Sequence, residues 1–113
     1  MHEASLAGGV LQLIEAASVR EGFTRLLVLR LEAGQLAGVE TGALRFALES
    51  LAPGTLLEGA LIEIEQPFGQ AWCLACSQSV SIAYRGEACP NCGGYQLQAT
   101  GGTGLRVLEM EVI

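Results

Sequence analysis

Four cysteines in two matched pairs constrain this chain more than any other feature: Cys73-Leu74-Ala75-Cys76 and Cys89-Pro90-Asn91-Cys92, with twelve residues between them. Each C-x-x-C can turn tightly enough to aim two thiolates at one point. Two such turns face to face make a tetrahedral four-sulfur cage, the arrangement that suits Zn(II), with zinc–sulfur bonds of about 2.3 Å. The chain has no other cysteine. A four-thiolate zinc site is closed, and closed sites are structural. The working chemistry is therefore to be sought elsewhere.

The competing use of a C-x-x-C is a redox pair, which needs one pair placed after a strand and opening a helix. Here two pairs sit in a glycine-rich, helix-poor stretch, and metal binding is the better reading. The spacing is slightly shorter than the common pattern of roughly 15–20 residues between pairs. From Pro67 to Gly104 only Arg85 and Glu87 are charged. With a single arginine the stretch offers no basic patch, which argues against nucleic acid. It is also poor in apolar residues, so metal binding should supply most of its stability. Trp72 and Tyr84 read as packing residues around the cage.

The rest of the chain has a different composition. Half of all 113 residues are hydrophobic and mean hydropathy is +0.41, enough for a real core. No apolar run reaches the ~20 residues of a transmembrane helix. The start Met1-His2-Glu3 lacks the basic and apolar regions of a secretory signal, so the expected compartment is the cytoplasm, where paired thiols hold metal more often than they form disulfides. The charges are six Arg and twelve Glu, with neither Lys nor Asp, a net of −6. Such a chain is a poor partner for phosphate backbones and a better one for proteins or cations.

Apolar spacing predicts a helix over residues 4–20, with Leu6, Val10, Leu13, Ile14 and Ala17 on one stripe. Gly8 and Gly9 weaken it by up to ~1 kcal/mol each. A strand follows over 24–32, with Leu27, Leu29 and Leu31 sharing one face. Gly34 to Gly38 reads as a loop. A second helix spans 41–51, with Leu44, Ala47, Leu48 and Leu51 inward, and Pro53-Gly54 closes it. Residues 60–66 form a second strand, in which Ile62 and Ile64 alternate with Glu63 and Glu65, and 105–113 a last one. The expected fold is α+β: two helices packed on a three-stranded sheet, with an inserted four-cysteine zinc-ribbon-like module. Its domains are residues 1–69 plus 105–113, and 70–104.

His2 is the only histidine. An isolated histidine is usually an idle surface residue, but position 2 is special. Its imidazole, its own amide nitrogen and the Met1 α-amine can close adjacent chelate rings. Three nitrogens in one plane suit Ni(II) or Cu(II), whereas Ca(II) and Mg(II) want oxygen. The bulk of His2 should leave Met1 in place, and Glu3 adds a carboxylate next door. Glu40 reads, from spacing alone, as a favourable charge at the start of a helix. Nothing resembles a phosphate loop, and one histidine at position 2 makes a nucleophilic triad improbable. No enzymatic activity is expected.

Beyond these separate features, an ordered set of motifs resembles the HypA family of hydrogenase nickel-incorporation proteins. The set runs from Met1-His2-Glu3-Ala4-Ser5-Leu6 through Leu31 to Val39, Leu44-Arg45-Phe46-Ala47 and Gly59-Ala60-Leu61. It continues with the two cysteine pairs and ends at Gly104-Leu105-Arg106-Val107. The resemblance covers the whole length and implies a metallochaperone with a nickel domain joined to a zinc module. It implies Ni(II) as transient cargo, held by the Met1 amine, by His2 with its amide and by Glu3, with Glu40 as a further nickel ligand. It implies structural Zn(II) on Cys73, Cys76, Cys89 and Cys92. The implied partners are a HypB-type GTPase and the [NiFe]-hydrogenase large subunit, with urease also served in some bacteria. The expected assembly is a monomer or weak dimer, with neither nucleic-acid nor membrane partner. The chain departs from some members in having no histidine beside its cysteines. The runner-up reading is a zinc-ribbon protein-interaction adaptor that binds no nickel.

Overall fold

The computed structural model describes residues 2–113. The fold is α+β, with two helices and two three-stranded sheets. In chain order the elements are α1 (Glu3–Glu21), β1 (Leu26–Ala33), a single 3-10 turn (Gln35–Ala37), α2 (Thr41–Leu51), β2 (Leu61–Glu65), β3 (Gly69–Cys73), β4 (Gln78–Ile82), β5 (Leu97–Gly101) and β6 (Leu105–Val112). They fall into two compact units. The first takes residues up to Leu31 with Val39–Ile64 and Val107–Ile113; the second takes Glu32–Gly38 and Glu65–Arg106.

In the first unit β1 is the central strand of a sheet ordered β2-β1-β6. The helix α1 stops at Gly22, whose φ of 79° is left-handed and whose amide closes onto the Ser18 carbonyl at 2.8 Å. That C-terminal geometry is inexpensive only for glycine. Helix α2 begins at the N-cap Glu40, whose carboxylate accepts from the amides of Gly42 at 3.1 Å and Ala43 at 2.6 Å. It ends at Leu51, two residues before Pro53, which has no backbone N–H to continue the helical hydrogen-bond ladder. The two helices pack on each other, α1 burying Ala7, Val10, Ile14 and Ala17, and α2 burying Leu44 and Leu48.

Leu26, Leu29 and Leu31 of β1 and Ile62 of β2 are buried as well. On the half-exposed side Arg30 ties the three strands together. Its Nε donates to Glu63 of β2 at 2.6 Å, and its Nη atoms meet Glu109 and Glu111 of β6. The chain end is fixed too: the amides of Thr24 and Ile113 donate to the carbonyls of Ile113 and Arg25, both at 3.0 Å.

The predicted helical stripes are right in phase but too wide: Leu13 and Leu51 are exposed, at 50% and 39%. On β1 the predicted face fails at its first residue, where Leu27 is 41% exposed and Leu26 is buried. Small Ala7 and the carboxylate of Glu3 take up the space on the buried side of α1 instead. Two helices on a sheet this small cover only a narrow strip of each element.

The second unit holds strands that composition did not announce. β3 is central and antiparallel to both neighbours, with Ala71 opposite Val80 and Ala99, and Cys73 opposite Gln78 and Leu97. A bulge at Gln70/Ala71 shifts the register against β5. Gly69, Ala71, Cys73, Val80 and Ile82 point inward, while Gln70, Trp72, Ser79 and Ser81 point out. Trp72 and Tyr84 are therefore not core packing residues: they are 39% and 61% exposed. Trp72 alternates out of phase with Cys73 on the same strand, so it cannot pack over the sulfurs.

The second unit also reaches further back than residues 70–104. Glu32–Gly38 belongs to it, although Glu32 was expected to end the first strand and Gly34 to Gly38 to form a loop of the first domain. The amides of Gly34, Gln35 and Leu36 donate to the carbonyls of Gly104 at 3.1 Å, Pro67 at 3.0 Å and Gly102 at 2.8 Å. Glu32 accepts from Arg106 Nε at 2.9 Å. The backbones approach so closely that a Cβ on Gly34 would lie 2.2 Å from the Gly102 carbonyl carbon, and one on Gly69 2.3 Å from Leu36 Cγ.

These contacts give two glycine substitutions opposite signs. Gly69→Ala should destabilise the chain by roughly 1–3 kcal/mol through overpacking. Gly9→Ala, in an exposed helical position where a Cβ meets nothing within 4 Å, should stabilise it by about 0.5–1 kcal/mol. Chemical denaturation of the full chain reads both.

Candidate metal centre

Each cysteine pair is shaped by the same local device. In the first, the Ser77 amide donates to the Cys73 carbonyl at 2.8 Å and the Cys76 amide points at Cys73 Sγ at 3.4 Å. In the second, the Gly93 amide donates to the Cys89 carbonyl at 2.9 Å and the Gly94 amide points at Cys92 Sγ at 3.4 Å. The residue after each pair, Ser77 or Gly93, takes a left-handed φ, 53° and 73°. That reversal turns the chain back over its own sulfurs. The thiolate is the form that binds metal.

The two turns meet. Cys73 Sγ lies 3.8 Å from Cys92 Sγ, Cys76 Sγ lies 4.0 Å from Cys89 Sγ, and all four sulfurs lie within 4.8 Å of one another. Sulfurs placed about 2.3 Å from a shared tetrahedral centre are separated by roughly 3.8 Å, so the cluster has the size of a four-thiolate site. All four are free cysteines. Cys73 and Cys89 are buried, Cys76 is half-buried and Cys92 is exposed.

Crowding splits the thiols electrostatically. Cys89 is drawn down to about 7, first by the Cys92 amide and also by that of Asn91, against the opposing effect of burial. Cys76 is pushed up to about 12, first by its hydrogen bonds to the Cys92 and Cys73 sulfurs and then by burial. A cation at the centre supplies the charge that lets all four ionise together, so metal binding releases protons.

The nickel residues expected at the other end of the sequence lie in the first unit. Met1 falls outside the described residues. His2 is the exposed N-cap of α1, with φ −117° and ψ 30°, and its side chain makes no capping hydrogen bond. Glu3 is buried in the first turn, and Glu40 is brought to it: the Glu40 amide donates to Glu3 Oε2 at 3.0 Å. Hydrogen bonding to the carboxylate, that of the Glu40 amide included, holds the Glu3 carboxyl at about 2. Both oxygens of Glu40 are engaged with the first amides of α2, so its carboxylate works as a helix cap. Sequence reading missed Leu36, which joins Cys73 and Cys89 in the buried cluster of the second unit. Its only signal was its place in the Leu31 to Val39 stretch.

Fold and site together define a small α+β metal-binding protein built around a four-cysteine cluster. A family model described as "Hydrogenase/urease nickel incorporation, metallochaperone, hypA" matches residues 1–112. The chain is 67% identical over 112 residues to the hydrogenase maturation factor HypA of Polaromonas naphthalenivorans, covering 99% of this chain and 97% of that protein. It is 64% identical to the protein of the same name from Cupriavidus necator, covering 99% of this chain and 94% of the relative. The solution structure of the Ni metallochaperone HypA from Helicobacter pylori superposes with a TM-score of 0.71 at 20% identity. That match covers 100% of this chain and 98% of the other, a likeness of fold. The chain belongs to the HypA family of nickel-incorporation metallochaperones, which act in hydrogenase maturation. Among the described residues no helix is long and apolar enough to cross a membrane.

The Glu3 network makes a pH-dependent prediction. A carboxyl whose folded value lies near 2, below its ordinary 4.5, stabilises the fold above pH 4.5, and that contribution is lost as pH falls toward 2. Glu3→Gln should therefore be less stable than the parent chain at pH 7. The gap should shrink between pH 4.5 and 2 and close near pH 2. Urea denaturation at stepped pH measures it, and a gap independent of pH would count against the network.

Proposed function

We propose that this chain carries Ni(II) at its amino terminus, on the Met1 amine, the His2 imidazole and amide, and Glu3, and delivers it during [NiFe]-hydrogenase maturation. The observation that carries the reading is the state of His2. It is exposed, it heads α1, and its imidazole is spent on no capping bond. The first amides of a helix have no intrahelical partner, so a metal can take the His2 amide nitrogen without breaking a helical hydrogen bond. An amine, an imidazole and an amide nitrogen form the planar donor set that Ni(II) accepts. Exposure and an incomplete ligand set favour a cargo that must be handed on by ligand exchange.

In this reading Glu3 contributes a carboxylate that the Glu40 amide orients. Glu40 itself acts first as the cap of α2, and as a nickel ligand only through lone pairs that its two cap bonds leave over. The cysteine cage holds Zn(II) as a structural ion, since all-thiolate tetrahedral coordination leaves no open position for cargo. A HypB-type GTPase and the hydrogenase large subunit are the proposed partners, in the cytoplasm. The family description extends the possible recipients to urease.

Calorimetric titration of the untagged, zinc-loaded chain should show one Ni(II) site. His2→Ala should abolish it, and an amino-terminal extension, which removes the free α-amine, should weaken it at least about tenfold. Unchanged nickel affinity in His2→Ala would sink the carrier reading and leave the zinc-ribbon adaptor. Cys73→Ser should lose zinc in a metal assay while α1 and α2 remain folded by far-ultraviolet circular dichroism.

A further inference from the structure

Between Pro67 and Gly104 the chain carries only two charged residues, Arg85 and Glu87. Both line one cavity of the second unit, with a volume of 130 Å³. Its apolar lining is Ile82 of β4 with Leu97 and Ala99 of β5, and Tyr95 completes the polar side. The two charges are not spent on each other. Arg85 Nε donates to the Leu36 carbonyl at 3.2 Å, and Glu87 Oε1 accepts from the Ala83 amide at 2.7 Å. Among the described residues the Nη groups of Arg85 and Oε2 of Glu87 meet no further partner. A guanidinium and a carboxylate are each anchored to backbone by one atom and left free at the rest, beside an apolar surface.

We infer that this cavity receives the carboxyl-terminal residue of a partner polypeptide, one with a short apolar side chain. Volume decides first. Pockets for drug-sized molecules run to roughly 300–1,000 Å³. A water takes about 30 Å³, so this cavity has room for about four waters or for the end of one chain. A terminal residue carries a carboxylate, a side chain and an amide N–H on a single carbon. The Nη pair of Arg85, held in place through Nε, offers the fork that a carboxylate takes. Ile82, Leu97 and Ala99 suit the side chain, and the one free oxygen of Glu87 suits the one N–H. An Asp or Glu side chain would bring a carboxylate without that donor and set Glu87 against a second anion. A free amino acid would bring an ammonium with three protons for one acceptor. Tyr95 is 74% exposed, so the cavity opens to solvent beside it and a chain can run out. The site uses neither the nickel residues nor the cysteines.

The test is a titration of the isotope-labelled full chain, followed by its amide resonances. Acetyl-alanyl-valine should shift Arg85, Glu87 and Tyr95 and saturate at millimolar concentration. Acetyl-alanyl-valinamide, which lacks the carboxylate, should bind at least about tenfold more weakly, the loss expected for one charge-assisted hydrogen bond. Arg85→Gln should weaken the acid by a similar factor. So should Ala99→Leu, which fills the apolar lining at an exposed position and leaves both charges in place. Arg20→Gln, at an exposed arginine of α1, should change nothing. Equal binding of acid and amide would overturn the inference, as would binding of free valine in place of the peptide, or no titration at all. So would an affinity that a folded Arg85→Gln leaves untouched or that Arg20→Gln lowers equally. An affinity unchanged in Ala99→Leu would overturn it even if Arg85→Gln failed to fold.

Discussion

The convergence of four sulfurs is the constraint on which the second unit depends. Its buried cluster contains six residues, two of which are cysteines. A core that small cannot offset the conformational entropy of ordering about fifty residues, at roughly 1–2 kcal/mol each for the backbone alone. A metal held by both turns would supply the missing stabilisation, because the site does not exist in the unfolded chain and binding free energy becomes folding free energy. The strands follow from that. β3 ends at Cys73, the first turn leads into β4, and the second turn leads toward β5, so each knuckle is also a strand connection.

The first unit is held by more ordinary forces. Its two helices and sheet bury a conventional apolar core, and Arg30 joins three strands through carboxylates on both neighbours. Half-exposed ion pairs contribute little individually. Here they run from the central strand β1 to both of its neighbours. At the head of α1, His2, Glu3 and Glu40 form a polar corner in which one glutamate caps a helix and another is fixed by an amide. The same contacts that finish two helices leave His2 uncommitted at the surface.

Much of this was legible in advance. The two helices, β1 and β6 follow from long apolar periodicities, β2 from the alternation of Ile62 and Ile64 with Glu63 and Glu65, and the cage from spacing alone. The three strands of the second unit were not legible. Each is five residues long, and sequences such as Gln78-Ser79-Val80-Ser81-Ile82 carry little hydrophobic signal. The width of the buried stripes was also misread, because Leu13 and Leu51 have the same chemistry as Val10 and Leu48 and differ only in how far the neighbouring element extends.

The sequence by itself determined the local chemistry: which cysteines form the two C-x-x-C turns, where helices start and stop, and that the single histidine is residue 2. These are set by residues close together in the chain, whose geometry short-range sterics dictate. Only the tertiary structure decided that Leu36, thirty-odd positions before the first cysteine, packs against Gly69 at the start of β3, and that Glu40 meets Glu3. Those contacts come from backbone approaches between distant glycines and from the crossing of strands, and neither has a periodicity that one dimension can display.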